Sequence, residues 1–452
     1  MGRLFGTNGV RGVANEDLTV EKITRIAAAV GAHLGGEIAV GRDGRTTSPM
    51  FRDAAVSGLL SVGCNVHDAG MLPTPVLQHS VRHHGLDGGL MITASHNPPE
   101  FNGVKVIASD GVEIPREQEA EIEELYFSGG PEPSPWDQIG IIGALPALAP
   151  YMEAVRSHVD GEAIKRAGLK IAIDPGNGVA ALTAPDIARD LGCNVYTVNV
   201  NVNGRFPGRE SEPRPDNLDD LRRLVRASGA DIGVAFDGDG DRSIFVDERG
   251  EIQWGDRSVA LIARDFLAKN PGERVVSAVN SSKVLEDVVA AAGGSLVRTR
   301  VGSVVISRVM VDQGIMFGGE ENGGIMYGPH LQVRDGSMAM ALMLEIVAKA
   351  GRPLSELFSE LPQYHQMKGK VPCPEGLKEE ALEVLRGSVD APEVETIDGV
   401  KLGYRDGSWI LFRPSGTEAV FRIYAEAGSP ERVAELVDEH KALIASVIES
   451  LG

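Results

Sequence analysis

The chain has 452 residues, of which 42% are apolar and 24% are charged, fractions that are ordinary for a folded globular protein. A chain of this length exceeds what a single hydrophobic core supports, so we expect several domains. Acidic residues number 64 against 44 basic ones, and the resulting net charge of −20 excludes a protein that binds nucleic acid nonspecifically, because such binding depends on a basic surface.

The apolar runs and the cysteines indicate the compartment. No apolar signal core follows the first residues, and no run of about 18 apolar residues exists that would span a membrane. Cys64, Cys193 and Cys373 are far apart and have no metal-ligand spacing, which suits a reducing environment. We therefore expect a cytoplasmic protein whose partners are small molecules, with neither nucleic acid nor membrane among them.

Strand and helix patterns alternate through most of the chain, which predicts an α/β fold. Three apolar strands each end in a turn of small residues: 38–41, 170–173 and 274–277. Further along from each, a second apolar strand ends in an unusual polar loop: 93–98, 237–243 and 319–324. This weak repeat predicts three related α/β domains with mixed sheets, each contributing one loop.

The chain changes character after Pro362. A helical pattern near 376–387, strands at 409–412 and 420–424, and a further helix near the C-terminus predict a smaller α+β domain. A proline-rich stretch at 131–135 cannot be helical throughout and marks a connection near the first boundary. The expected domains are residues 1–150, 151–252, 253–365 and 366–452.

Two patterns look like known sites but lack essential parts. His79 and His83 stand four apart, yet they have neither a third ligand nor the intervening Glu of a zinc protease. We therefore expect a polar surface face there instead of a zinc site. Residues 176–181 fit G-x-G-x-x-A after a strand, but the next strand ends in Asn201, where a dinucleotide site needs an acid. A tight strand–helix turn is the preferred interpretation.

Ser95 follows directly after an apolar strand at 89–92, the location where α/β folds place their chemistry. His96 and Asn97 add polar contacts, and Lys105 follows ten residues after the serine. A serine in this loop can be a structural turn residue or a nucleophile that accepts phosphate. Its location and its polar neighbours favour the nucleophile.

Asp237, Asp239 and Asp241 alternate with glycine, so in an extended segment their carboxylates point the same way. Three negative charges this close repel one another unless a cation lies among them, and such hard oxygen ligands suit Mg²⁺ or Ca²⁺. A calcium EF-hand loop is one alternative, but Arg242 stands where that loop needs glycine, and the flanks read as strands. A solvated acidic turn is another alternative. Arg242 favours a cation site that faces a phosphorylated ligand.

Two more loops carry groups that bind sugar or phosphate. Residues 319–324 expose acids, including Glu320, and the amide of Asn322, which hydrogen-bond with sugar hydroxyls. Residues 413–418 combine the Arg413 guanidinium with hydroxyls and a glycine, a set that grips phosphate. An ordinary hairpin turn would explain the glycine but neither the arginine nor the hydroxyls. The predicted phosphate-binding residues of this loop are Arg413, Ser415, Gly416 and Thr417.

Four motifs in this order closely resemble the α-D-phosphohexomutase superfamily, and the match spans essentially the whole chain. They are T-A-S-H-N-P-P at 93–99, D-G-D-G-D-R at 237–242, G-E-E-N-G-G at 319–324 and R-P-S-G-T-E at 413–418. The opening at 5–15 is similar to the start of the phosphoglucosamine mutases, and less like the phosphomannomutase/phosphoglucomutase branch. The resemblance implies three related α/β domains and a smaller fourth domain around a central cleft.

The resemblance also implies a role for each matching residue. Ser95 would carry a phosphate and, with Asp237, Asp239 and Asp241, would bind one Mg²⁺ per chain. Arg242 would touch the reacting phosphoryl group. The remaining residues implied for the site are Lys105 as a general acid or base, Arg11 and His96 in the catalytic group, Glu320 and Asn322 at the sugar hydroxyls, and Arg413, Ser415, Gly416 and Thr417 at the phosphate that does not react.

The implied reaction moves phosphate between C6 and C1 of a hexose phosphate through a phosphoserine enzyme and a 1,6-bisphosphate, which also serves as activator. We expect glucosamine 6-phosphate as the substrate and a monomer or homodimer. Mannose, glucose or pentose phosphates stay open as alternatives, as do a sugar-phosphate phosphatase and a sugar-phosphate binding protein. One departure matters: many members carry G-E-x-S-G-H in the third loop, where this chain has Asn322 and Gly324. The missing histidine leaves a proton carrier or phosphate contact unassigned.

Overall fold

The computed structural model describes residues 4–6, 8–388, 391–415 and 419–451. Within these residues the chain forms four β-sheets accompanied by helices, which confirms the multi-domain α/β fold class. Each sheet with its helices is called a unit below, numbered I to IV in chain order. The boundaries at 150, 252 and 365 stay a prediction. Among the described residues, none of the helices has both the length and the apolar character required to cross a bilayer.

Unit I contains a six-stranded mixed sheet. Its elements are β1 (Val10–Val13), α1 (Val20–Leu34), β2 (Glu37–Arg42), α2 (Ser48–Ser61), β3 (Asn65–Met71), α3 (Thr74–His84), β4 (Gly88–Ile92), β5 (Phe101–Ala108), α4 (Arg116–Phe127) and β6 (Ile142–Ala144). The strand order is β1-β5-β4-β2-β3-β6, with β5 antiparallel to both of its neighbours and the other pairs parallel. β4 is buried along its whole length, because α2 and α3 both contact it.

Unit II contains a five-stranded sheet. Its elements are α5 (Leu148–Ser157), α6 (Gly161–Ala167), β7 (Lys170–Asp174), a 3-10 helix (Val179–Leu182), α7 (Ala184–Asp190), β8 (Asn194–Thr197), α8 (Asp219–Ser228), β9 (Ile232–Phe236), β10 (Ser243–Asp247) and β11 (Ile252–Gln253). The order is β11-β10-β9-β7-β8. Strands β8, β7 and β9 are parallel, β10 is antiparallel to β9, and β11 is antiparallel to β10. The aspartate loop therefore joins two strands, as expected, and not the two helices of an EF-hand.

Unit III contains a four-stranded sheet and the most buried helix. Its elements are α9 (Gly255–Lys269), β12 (Arg274–Ala278), α10 (Lys283–Ala291), β13 (Ser295–Thr299), α11 (Ser303–Gln313), β14 (Phe317–Gly319), β15 (Ile325–Tyr327), α12 (Gly336–Ala350) and α13 (Leu354–Ser359). The order is β13-β12-β14-β15, and β15 alone among these strands is antiparallel to its neighbour.

Unit IV is the smaller α+β module that the sequence predicts. Its elements are β16 (His365–Pro372), a 3-10 helix (Glu375–Leu377), α14 (Lys378–Ser388), β17 (Glu393–Glu395), β18 (Val400–Gly403), β19 (Trp409–Pro414), β20 (Val420–Ala427) and α15 (Pro430–Leu451). The sheet is antiparallel in the order β16-β20-β19-β18-β17, and α15 packs on β16 and β20.

The predicted threefold repeat is present in the topology. In units I, II and III a central strand (β2, β7 or β12) pairs in parallel with two neighbours, and the second neighbour (β4, β9 or β14) is followed by an antiparallel strand. Each polar loop lies at that reversal of direction. In unit IV the 413–418 loop likewise joins two antiparallel strands, β19 and β20. One local rule therefore positions the first three loops.

One hydrophobic core is shared by units I, II and III, and α12 lies inside it. This helix contacts α5, α6, α7 and α9, which explains why its sequence is apolar on nearly every face. Asp335 caps the helix by accepting a hydrogen bond from Met338 N at 2.9 Å. Gly336 N donates to Gly240 O in the aspartate loop at 3.3 Å. The buried helix thus holds its first residues against that loop.

Tyr151 tests the shared core. Its buried hydroxyl donates to Asp335 Oδ1 at 2.7 Å, which joins α5 to the cap of α12. We expect Tyr151→Phe to lower the free energy of unfolding by about 1–2 kcal/mol, because buried Asp335 Oδ1 loses one of its two hydrogen bonds and keeps only the one from Met338 N. Tyr196→Phe, at a partly exposed tyrosine, is the matched control and should change it by less than about 0.5 kcal/mol. Denaturant titration of both variants measures the difference; equal stability would contradict the role of this bond.

Candidate active site

Ser95 lies at the carboxyl end of β4, in the loop that leads to β5. It is buried, and its φ of +50° is in the left-handed region, which costs a residue other than glycine on the order of 1–3 kcal/mol. Its hydroxyl donates to Asp237 Oδ2 at 2.9 Å, and the Ser95 hydroxyl oxygen also lies 3.3 Å from His96 Nδ1. The loops of units I and II therefore meet at this oxygen.

A buried guanidinium holds this strained loop. Arg45 donates to four backbone oxygens of the loop and its flank, including those of Ser95 at 2.8 Å and Asn97 at 2.6 Å. Its Nε also donates to Asp43 Oδ2 at 3.1 Å, so the buried charge is paired. Removing either member would leave an unpaired charge in the core, so the pair is costly to break. Arg45 thereby determines where Ser95 lies.

Unit II repeats this arrangement behind the aspartate loop. Arg209 donates to the backbone oxygen of Phe236, the last residue of β9, at 2.7 Å. Its Nε donates to Asp174 Oδ2 at 2.8 Å, and both side chains are buried. Each of the first two loops is therefore anchored to an Arg–Asp pair within its own unit.

Gly238 lets the first two loops approach each other. A side-chain carbon at this position would lie 2.6 Å from the Ser95 backbone oxygen, closer than such atoms can come. The glycine after the first aspartate is thus required by the contact between loops.

The three aspartates of the second loop fit a single hard cation. One carboxylate oxygen from each of Asp237, Asp239 and Asp241 lies within 4.8 Å of the other two. Oδ1 of Asp239 and Oδ1 of Asp241 are buried and have no hydrogen-bond partner, which is unfavourable for a carboxylate. Burial and the like charges of Asp241 and Asp239 raise the pKa of Asp237 well above its usual range. A divalent ion would satisfy both oxygens and offset the repulsion.

Units I and III supply cations that balance these carboxylates. Lys105, on β5, donates from Nζ to Asp239 Oδ2 at 2.7 Å and to Asp241 Oδ2 at 2.9 Å. Arg334, just before α12, donates to the same Asp241 oxygen at 2.5 Å. Thr74, at the start of α3, adds a hydroxyl to Asp239 Oδ2 at 2.6 Å. Burial alone would lower the pKa of Lys105, but Asp239 and Asp241 outweigh it and raise that pKa.

Further cationic groups line the side of the site near the serine. Arg11, on β1, donates to Asn97 Oδ1 at 2.7 Å, and Arg242 Nη1 donates to Glu212 Oε1 at 3.3 Å. Burial in the cleft, with Arg242 nearby, lowers the pKa of Arg11 to about 10. Burial and the two guanidiniums lower the pKa of His96 well below its usual range, which favours the neutral imidazole.

The third loop lies against the second, and their backbones hydrogen-bond with an N–O distance of 3.1 Å. Glu320 is buried, and its Oε2 accepts from Arg334 Nη1 at 3.1 Å. Asn322 instead turns its Oδ1 toward its own loop, where it accepts from Gly324 N at 3.2 Å. Glu320 is therefore joined to the aspartates through Arg334, whereas the Asn322 side chain shapes the loop.

The fourth loop is described in part. Arg413 Nε donates to Asp398 Oδ2 at 2.7 Å, and the same oxygen accepts from Val301 N of unit III at 3.0 Å. Ser415 is buried, and its backbone oxygen accepts from Lys378 Nζ at 2.5 Å. Two predicted residues of this loop lie outside the described residues: Gly416 and Thr417. The described ion pair of Arg413 is therefore made within unit IV and not with the first three loops.

The histidine pair lies on α3, but its two members differ. His83 is exposed, as expected of a polar surface face, whereas His79 is half-buried and its ring stacks on His330 with centroids 5.3 Å apart. The sequence could not show this, because His330 comes from unit III. Within the described residues, neither histidine belongs to a group of three side chains that could hold a metal ion.

Family models for phosphoglucomutase/phosphomannomutase match the chain four times in order. The alpha/beta/alpha domains I, II and III match residues 2–132, 149–250 and 254–364, and the C-terminal domain matches 369–443. The chain belongs to this family. It is a hexose-phosphate mutase of the α-D-phosphohexomutase superfamily and hence an isomerase, as the motifs predict.

The mutase is similar to its relatives over nearly its full length. A phosphoglucomutase/phosphomannomutase of Thermococcus kodakarensis is 42% identical over 445 residues, 97% of either chain. A phosphoglucosamine/phosphogalactosamine mutase of Sulfurisphaera tokodaii is 43% identical over 455 residues, 98% of this chain and 99% of that one. A solved structure of a phosphoglucomutase/phosphomannomutase family protein from Burkholderia thailandensis, 28% identical, has a TM-score of 0.89 and covers 98% of this chain and 97% of that one.

The sequence did not reveal several residues that shape the site of this mutase. They are Arg45, Thr74, Arg209 and Arg334. Arg334 did leave a signal, because a charged Arg–Asp pair directly before a helix without a polar face indicates a buried polar site. Thr74 left none, since a threonine beside prolines reads as an ordinary helix start.

Asp239 provides a test of the cation site. We expect Asp239→Asn to weaken Mg²⁺ binding on the order of 10- to 100-fold, because a charged ligand is lost from a buried site. Isothermal titration calorimetry on the purified chain measures the affinity without any sugar. Asp186→Asn, at an exposed aspartate on α7, is the control and should bind Mg²⁺ as the unaltered chain does. If the Asp239 variant also retains full affinity, the triad is not the metal site.

Proposed function

We propose that this mutase interconverts glucosamine 6-phosphate and glucosamine 1-phosphate, with Ser95 carrying the phosphoryl group. The observation that carries the proposal is the position of Ser95 Oγ, which is buried in a strained loop 2.9 Å from Asp237 Oδ2. A buried hydroxyl that donates to one of three clustered carboxylates is a poor core element. It suits a site in which the charges of a phosphoryl group and of a cation balance each other.

Mg²⁺ is the proposed cofactor, one ion per chain, held by Asp237, Asp239 and Asp241 together with a phosphate oxygen on Ser95. When bound, Mg²⁺ neutralises charge on the transferring phosphoryl group and stabilises its transfer. A phosphoserine carries a charge of about −1.5 to −2 near neutral pH, which three bare carboxylates would repel. The two unpartnered aspartate oxygens support a hard cation at this point.

The proposed chemistry consists of two phosphoryl transfers. In the first, the P–O bond to Ser95 Oγ breaks, a P–O bond forms to a free sugar hydroxyl, and the hydroxyl proton ends on Ser95 Oγ. The product is a hexose 1,6-bisphosphate. In the second, the other phosphate returns to Ser95 Oγ, and the proton passes to the sugar oxygen that is released. Added 1,6-bisphosphate acts as activator because it regenerates the phosphoserine.

Side chains around Ser95 have distinct proposed roles. His96 is neutral and its Nδ1 lies 3.3 Å from the serine oxygen, so it can relay a proton there. Lys105 stays protonated between two aspartates, which favours a role as acid over a role as base. Arg11 and Arg242 line the same space and would hold the phosphoryl oxygens.

The 413–418 loop is proposed to bind the phosphate that does not react. Arg413 and Ser415 would grip it together with Gly416 and Thr417. In the structure the Arg413 guanidinium is paired with Asp398, so phosphate binding would exchange one anion for another. Phosphate is the stronger partner because it offers more oxygens and more charge to a guanidinium fork.

The third loop is proposed to recognise the sugar. Glu320 is buried at the site and can accept from a hydroxyl or an ammonium group, and the Asn322 amide can contribute. The name of the S. tokodaii relative favours amino sugars. The name of the T. kodakarensis relative favours glucose and mannose phosphates, which are the second candidate substrates.

A cytoplasmic location is part of the proposal. Cys64, Cys193 and Cys373 are buried free thiols, which suits a reducing compartment.

Ser95→Ala tests the phosphoryl carrier. After incubation with glucose 1,6-bisphosphate, intact-mass spectrometry should show the unaltered chain with an adduct of about 80 Da, the mass of one phosphoryl group, and the variant without it. Turnover by the variant should fall by at least about 1,000-fold, because the nucleophile is gone. Ser57→Ala, at an exposed serine on α2, is the control. An adduct that persists in the Ser95 variant would refute the assignment, and steady release of inorganic phosphate would indicate a phosphatase.

The substrate is tested by kcat/KM on glucosamine 6-phosphate, mannose 6-phosphate and glucose 6-phosphate with the same bisphosphate activator. We expect glucosamine 6-phosphate to lead by about 10-fold or more, since a buried carboxylate distinguishes an ammonium group from a hydroxyl. A lead for either neutral sugar would replace the proposed substrate and leave the mechanism intact.

A further inference from the structure

Arg334 connects two loops that recognise different things. Its Nη2 donates to Asp241 Oδ2 at 2.5 Å and its Nη1 donates to Glu320 Oε2 at 3.1 Å. The side chain is 5% exposed, so both contacts are shielded from water. The planar guanidinium binds the two carboxylates through two different nitrogens, which fixes its orientation between them. Within the described residues, Arg334 is the cation that Glu320 contacts.

Gly324 makes room for this guanidinium stem. A side-chain carbon at 324 would lie 2.4 Å from Arg334 Cδ and 3.2 Å from Glu320 Oε2. The backbone at 324 does not have positive φ, so the need for glycine there comes from space alone. Any side chain at 324 would displace Arg334 from the position described here. The glycine and the arginine are therefore one arrangement.

We propose that Arg334 is a positioning residue that couples sugar recognition at Glu320 to the metal loop at Asp241, in the space that Gly324 leaves open. The inference rests on the proposed function for the roles of Glu320 and Asp241. It also explains why the third loop has Gly324 where many family members have histidine, because Arg334 occupies the space that a side chain at 324 would need.

The two contacts of Arg334 predict opposite effects of its removal. Without it, buried Glu320 loses its charged partner and its fixed orientation, so a sugar phosphate should bind more weakly. Asp241 Oδ2 loses one of its two cationic donors and keeps Lys105, so the triad becomes more negative. A divalent cation should then bind more tightly. A residue that merely supports the fold would weaken both kinds of binding.

Arg334→Gln is the first test. We expect Mg²⁺, titrated by calorimetry in the absence of sugar, to bind on the order of 5-fold more tightly, since a neighbouring positive charge is gone. We expect KM for glucosamine 6-phosphate to rise by about 10-fold or more, with a smaller change in kcat, since Glu320 is no longer held. Arg334→Lys keeps the positive charge, so the Mg²⁺ affinity of this variant should stay near that of the unaltered chain. It loses the two separate guanidinium nitrogens, so KM should rise. Arg223→Gln, at an exposed arginine on α8, is the matched control.

A double-mutant cycle tests the link to position 324. Gly324→Ala should raise KM in the unaltered chain, but it should have little further effect in an Arg334→Ala background, because that substitution removes the Cγ and Cδ atoms with which the added methyl group would clash. Gly143→Ala, at a glycine with open space around it, controls for the added methyl group. Weaker Mg²⁺ binding in Arg334→Gln, an unchanged KM, or additive effects of the two substitutions would overturn the proposal.

The outcome is separable from that of the proposed function. If the unaltered chain prefers mannose or glucose 6-phosphate, KM is measured on that sugar and the same directions are expected. If Ser95 carries no phosphoryl group, the proposed function fails, while the Mg²⁺ titrations still report on Arg334 and Asp241.

Discussion

Crowding of buried negative charge among Asp237, Asp239 and Asp241 is the constraint on which the rest of this mutase depends. Two unit charges about 4 Å apart interact by about 4 kcal/mol at an effective dielectric constant of 20, so the triad must be neutralised for the loop to exist. The neutralising groups come from different units: Lys105 from unit I and Arg334 from unit III. The relative position of the first three units is thus part of the charge balance of one loop.

The scaffold meets this constraint with rigid parts. Each loop lies at the same strand reversal of a repeated sheet, so three copies of one local rule bring three polar loops together. Two buried ion pairs then hold the backbones of the first two loops in place. They are Arg45 with Asp43 and Arg209 with Asp174. Helix α12, surrounded by protein, anchors the segment that carries Arg334. Strain at Ser95 persists because these elements over-determine the loop.

Unit IV is joined differently. It has a hydrophobic core of its own, whereas units I, II and III share one large core in addition to smaller cores of their own. Its contact with unit III combines a small apolar cluster of Val279, Trp409 and Leu411 with polar groups, among which Gln366 Nε2 donates to both Asp256 and Glu426 at 3.0 Å. Burial and the nearby Glu321 raise the pKa of Asp256 to about 7, which eases the crowding of acids there. Interfaces with a small apolar part and many polar groups are typical of domains that change their relative position. That property suits a unit proposed to hold whichever phosphate is not reacting.

The sequence by itself determined the strands beside the polar loops, the three related units, the smaller fourth module and the order of the four loops, because each depends on residues that are close in the chain. Alternating aspartates and glycines, or a serine after an apolar strand, can be read from a few neighbouring positions. Only the tertiary structure decided what holds those loops. Arg45 acts on Ser95 across 50 positions and Arg334 acts on Asp241 across 93. A buried charge is defined by what packs around it, and that packing brings together distant parts of the chain that no local pattern records.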